Sequence, residues 1–208
     1  MARITKIVVA VAALGLTFVA ANALATVGGP PTNHIQRCDG HARPCGKPYV
    51  LAEGRQIGDS REIVGFKGGI GTCLSFESVE LPNLPSPCDE DVTPVPKRAL
   101  RVEFFGTASY AGGGTHGGRT WTTTEIGGVL RPEVARVRAT FFRRGTKHKQ
   151  EAIVGQVDRD LARRVGFKAT FGAFDLVMRG KPGNDGRPIL LQTFTANGRL
   201  LDSAPAGR

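Results

Sequence analysis

Beyond residue 25 the chain has no apolar run that approaches the roughly 20 residues a membrane-spanning helix needs. Aromatic side chains are few: one Trp, two Tyr and 11 Phe. The basic residues therefore lack the interleaved rings that stack bases, and nucleic acid is not an expected partner. Also missing are a Gly-x-Ser-x-Gly elbow, a His-Glu-x-x-His helix and a phosphate-cradling Walker loop. No catalytic residue, no cofactor site and no metal site is assigned. Helical periodicity is scarce too. Only Asp158 to Arg164 reads as a helical turn, too short to stand alone.

What is present starts with an address. Arg3 and Lys6 precede Ile7 to Ala21, a run that is apolar or small apart from Thr17, and the stretch ends in Ala23-Leu24-Ala25. A positive start, a short apolar centre and a small-x-small end are the parts of a secretory signal peptide. Residues 1–25 are expected to be removed before Thr26, leaving a secreted chain that is extracellular or cell-wall associated. The alternative is a protein anchored by an uncleaved N-terminal segment.

Export sets the redox reading of Cys38, Cys45, Cys73 and Cys88. An even cysteine count outside the cytoplasm points to disulfides. Loop logic favours Cys38 with Cys45 and Cys73 with Cys88, since each pair brackets a Pro- or Gly-bearing loop. A metal site at Cys38, His41 and Cys45 would want a second tight thiol pair, which the spacing of Cys73 and Cys88 does not offer. A nucleophilic Cys73 is weakened by Cys88, a ready disulfide partner.

Residues 26–48 carry no apolar periodicity and read as an irregular N-terminal arm stapled by a disulfide. A first β half, residues 49–95, holds strands at Tyr49-Val50-Leu51, Arg61 to Lys67 and Thr72 to Leu81. Five prolines between residues 82 and 96, with the acidic run Asp89-Glu90-Asp91, predict a solvated connection. The second half, residues 96–204, has its clearest strand at Glu133 to Phe142. There Ala135, Val137, Ala139 and Phe141 alternate with Arg136, Arg138, Thr140 and Phe142. The five glycines of Ser109 to Gly118 read as a loop around His116. At the C-terminus Ile189 to Ala196, Asn197-Gly198 and Arg199-Leu200-Leu201 predict a hairpin closed by a type I′ turn. Many short strands, 28 glycines and 13 prolines argue for an all-β fold, a sandwich or open barrel of antiparallel strands. Residues 49–204 are compatible with one domain. Val64-Gly65-Phe66-Lys67 recurs as Val165-Gly166-Phe167-Lys168, which raises an internal duplication as an expectation.

The stretch Gly128-Val129-Leu130-Arg131-Pro132-Glu133-Val134-Ala135-Arg136-Val137, with Phe174 and Ala196-Asn197-Gly198-Arg199-Leu200, resembles a pattern in small exported proteins of high-GC actinobacteria. Those proteins have no assigned activity. The resemblance covers residues 120–202 and implies a secreted β-domain, with no catalytic residue to carry over.

Charge is distributed unevenly. Residues 26–95 hold 6 basic and 9 acidic side chains, whereas residues 96–208 hold 20 and 9. Arg136, Arg138, Arg143, Arg144, Lys147 and Lys149 are the candidate polyanion-binding residues, with Arg163 and Arg164 further along. Such a field attracts and steers anionic polymers. The plain alternative is a solvated basic face that keeps the protein soluble. The expectation is an exported, non-catalytic binding or structural module at or beyond the cell envelope, in contact with anionic wall polymers or another exported protein. The alternatives are a small secreted hydrolase, for which Glu125, Glu133 and Glu151 are candidate carboxylates, and an inhibitor of another exported protein.

Overall fold

The computed structural model describes residues 27–31, 46–68, 71–79, 91–92, 96–111, 120–180 and 188–205. The expected signal segment, Cys38, Cys45, Cys88, His34, His41 and His116 lie outside them. The chain is all-β, with eleven strands and one helix among the described residues, arranged in three antiparallel sheets.

The first sheet has the order β1 (Tyr49–Gln56), β2 (Asp59–Lys67), β3 (Thr72–Ser78). Ile57 and Gly58 close β1 onto β2 as a two-residue turn with positive φ at both positions, the geometry that matches strand twist. The second sheet has the order β4 (Leu100–Ala111), β5 (Thr120–Leu130), β9 (Phe171–Gly180), β8 (Ile153–Val157). The third contains β11 (Leu200–Ala204), β10 (Pro188–Phe194), β6 (Arg136–Arg143) and β7 (Thr146–Glu151), in that order.

Side-chain alternation makes the β4–β5–β9–β8 sheet the middle layer. Val129, Phe171 and Ala173 on one face join Leu51, Ile63, Leu74 and Phe76 of the first sheet in one core. Ile126, Phe174, Leu176 and Met178 on the other face join Val137, Ala139, Phe141 and Leu191 of the third sheet in another. The first core thus draws on residues from both the 49–95 and the 96–204 stretches. Close approach of the sheets has a local requirement at Gly127, where a Cβ would overlap the Phe76 ring.

Helix α1 (Arg159–Val165) joins β8 to β9. The Asp158 carboxylate accepts the Leu161 N–H at 2.7 Å, and Gly166, in the left-handed region at φ 78°, ends the helix. Leu161, Ala162 and Val165 face the first core, which is what fixes so short a helix.

Several sequence expectations change here. The two Val-Gly-Phe-Lys stretches are not equivalent: Gly65 is extended in the middle of β2, whereas Gly166 is a helix cap. The pair is in contact instead, since Phe167 packs against Gly65. A duplicated unit is therefore absent at these positions. Asp91, expected in a solvated run, accepts the Thr72 N–H at 3.0 Å, while the Val92 N–H donates to Thr72 O and its side chain is buried. β4 runs on to Ala111, into the stretch read as a glycine loop. The C-terminal hairpin exists, but its turn differs. Only Gly198 has positive φ, the Gly198 N–H donates to Thr195 O, and Thr195 pairs with Arg199. That is a three-residue loop with a bulge at glycine rather than a two-residue type I′ turn.

Candidate functional site

β6 is a strand because its apolar residues recur every second position. Burying Val137, Ala139 and Phe141 against the middle sheet turns Arg136, Arg138, Thr140 and Phe142 outward. β7 was not legible as a strand, since Thr146 to Glu151 is almost wholly polar. It forms because Arg144 and Gly145, with φ of 53° and 74°, make a two-residue turn that folds it back onto β6. Register then decides which cations share a face. Arg138 lies opposite Glu151, Thr140 opposite Lys149 and Phe142 opposite Lys147. Arg136, Arg138, Lys147 and Lys149 therefore stand on the outer face of the third sheet.

The neighbouring strand supplies a platform. Phe194 of β10 pairs with Arg136, and the guanidinium carbons of Arg136 and Arg138 sit 5.2 and 5.1 Å from its ring centre. Both planar cations are thereby held over one ring. Arg138 also donates to Glu151 at 2.7 Å, an exposed pair of modest energy. The other two candidates separate from this row. Alternation puts Arg143 on the opposite side of β6, and Arg144 occupies the hairpin tip. His148 faces Phe141 on that inner side, with ring centres 5.8 Å apart, and is exposed at the margin. Arg163 and Arg164 are on α1, which covers the first core, remote from the outer face of the third sheet.

The three candidate carboxylates do not meet. Glu133 pairs with Arg131 at 2.6 Å and Glu151 with Arg138, whereas Glu125 turns toward the first sheet. No cluster of three or more His, Cys, Asp or Glu able to hold a metal occurs among the described residues. Cys73 is buried and is not a free thiol.

A second polar group lies where the first sheet meets the middle one. Arg61 of β2, 5 % exposed, donates through Nε to Asp175 Oδ2 at 2.6 Å and through Nη2 to Glu125 Oε1. Asp59 stands 3.5 Å from its Nη1. Loss of hydration pushes the Glu125 carboxyl up to about 7, against the opposing pull of Arg61. Burial also raises the Asp175 carboxyl above its ordinary value. Sequence reading missed Arg61, Asp59 and Asp175, because nothing local marks an ion pair between residues 114 positions apart.

The chain matches no protein-family model, no curated protein and no solved structure. No described helix is long and apolar enough to cross a membrane.

Proposed function

We propose that this is an exported, non-catalytic β-module that binds anionic polymers of the cell envelope through the outer face of the β11–β10–β6–β7 sheet. One observation carries the reading: the β6–β7 register aligns Arg136, Arg138, Lys147 and Lys149 on a single face, two of them against the Phe194 ring. Successive side chains on one face of a strand are about 7 Å apart and adjacent strands about 5 Å. A flat lattice of cations at that spacing suits a long, repetitive anion better than a single small ligand. Contacts of this kind act by charge and weaken as salt rises.

Export rests on the apolar run Ile7 to Ala21 and the Ala23-Leu24-Ala25 ending. The same setting makes Cys73 a disulfide partner, and the Asp91 clamp on Thr72 favours Cys88 as the other half. Asp91 is held beside β3, and Cys88 is only three residues earlier, about 10 Å of extended chain at most.

The reading is tested by co-sedimenting the intact secreted protein with purified cell walls across a salt series. Pelleting at low salt that is released at high salt is expected. No pelleting even at the lowest salt sinks the proposal.

A further inference from the structure

One guanidinium faces three carboxylates at the junction of the first and middle sheets. Arg61 and Asp59 come from β2, Glu125 from β5 and Asp175 from β9. Among the described residues, the other strands packed around them set uncharged groups against the cluster, including Ser78 of β3, whose hydroxyl donates to Asp59 Oδ1 at 2.8 Å. β1 brings the Gln56 amide, β3 brings Phe76 against Gly127, β8 sets Ile153 opposite Asp175, and β4 sets Gly106 opposite Glu125. Arg179, exposed, shares the β9 face two positions beyond Val177, the cross-strand partner of Glu125.

Asp175 has no exposed surface, and its Oδ1 lacks a hydrogen-bond partner. Glu125 retains 25 % exposure, a path for protons. A single positive charge cannot balance these carboxylates in a site with little water, and an uncompensated buried charge is costly. A proton on either Glu125 or Asp175 halves the excess, leaving only the partly exposed Asp59 beyond the Arg61 charge, and gives a carboxylic acid that can donate a hydrogen bond.

We propose that Arg61, Glu125 and Asp175 form a proton-operated latch that holds the β1–β3 sheet on the middle sheet when one proton is bound and loosens it when that proton leaves. The upward displacement of both carboxyls agrees with this arrangement, burial being the largest cause in each. Because the folded state holds the proton more tightly than the unfolded chain, the stabilisation is complete below the ordinary Glu value near 4.5. It is lost as pH rises through about 7. Most structural carboxylates behave the other way, stabilising as they ionise.

The experiment is thermal unfolding of the intact chain from pH 5 to pH 8.5, with hydrogen exchange of the β2 amides over the same range. The transition of the unsubstituted protein is expected to fall by roughly 3–8 °C between the two ends, and exchange in β2 to quicken with it. Glu125→Gln fixes one of these carboxyls in an uncharged form and is expected to flatten both profiles, which separates the latch from any other titrating group. Asp59→Asn removes a negative charge from the edge of the cluster and is expected to move the midpoint to lower pH. An equal pH slope in Glu125→Gln overturns the proposal, as does an unmoved midpoint in Asp59→Asn.

Discussion

The Gln56 side chain takes the place of a strand beside Val177. Its Oε1 accepts the Val177 N–H, and its Nε2 donates to Asp175 O at 2.9 Å. The need arises because β8 pairs with β9 only as far as Asp175. Just before it, the chain bends at Ala152, leaving β7 of the third sheet for β8 of the middle one. Gln150 completes the repair by donating to Val177 O at 2.6 Å. A side-chain amide presents an N–H donor beside a carbonyl acceptor, as a peptide edge does, so it continues the ladder where no backbone can reach.

Gln56→Ala leaves a buried amide and a buried carbonyl without partners. A loss of about 3 kcal/mol is expected, from roughly 1–3 kcal/mol for each group stranded. Denaturant unfolding at constant pH measures it. A loss below about 0.5 kcal/mol would mean that water or a neighbouring strand serves β9 equally well.

Gly127→Ala drives a methyl group into the Phe76 ring. About 2 kcal/mol of destabilisation is expected from overpacking. Phe76→Leu, which opens space at that point, is expected to recover part of the cost in the double variant, a coupling that independent sites do not show. Strict additivity of the two single losses would place the clash elsewhere.

Strands with a buried face were readable because burial imposes a period of two, as at Val137, Ala139 and Phe141. β7 was not, because Thr146 to Glu151 lies at a sheet edge with little to bury, and only the Arg144-Gly145 turn declares it. The basic residues were visible individually. Their division into a shared outer row and the outlying Arg143 and Arg144 depends on register, which composition does not contain. Arg61 with Asp175, and Gln56 with Val177, are pairings of distant segments, so local pattern carries no trace of either. The C-terminal hairpin shows a different limit. Asn-Gly marks a turn correctly, yet the extra residue between the Thr195–Arg199 pair selects a bulged loop.

Peptide mapping without reduction is expected to recover Cys73 linked to Cys88. Breaking that link with Cys88→Ser is expected to cost about 3 kcal/mol by the loop it closes. A Cys73 peptide joined to Cys38 or Cys45 would contradict the pairing argued from the Asp91 clamp.

Intact mass measurement of the secreted protein is expected to place its N-terminus at Thr26. Two residues later the chain is already fixed, since the Gly28 N–H donates to Val50 O and Gly29 O accepts the Val50 N–H. A mass that includes Met1 would replace the secreted reading with an anchored one.

The central claim is that a particular face, and not net charge, binds the polymer. The direct measurement compares wall binding at fixed low salt for two variants that lose the same charge. One carries Arg136→Gln, Lys147→Gln and Lys149→Gln on the outer face of the third sheet. The other carries Arg159→Gln, Arg163→Gln and Arg164→Gln on α1. At roughly 1 kcal/mol per cation near an anionic surface, the first is expected to bind about a hundredfold more weakly and the second to stay within about threefold of the unsubstituted protein. Equal weakening of the two variants, or none in the first, would contradict the account.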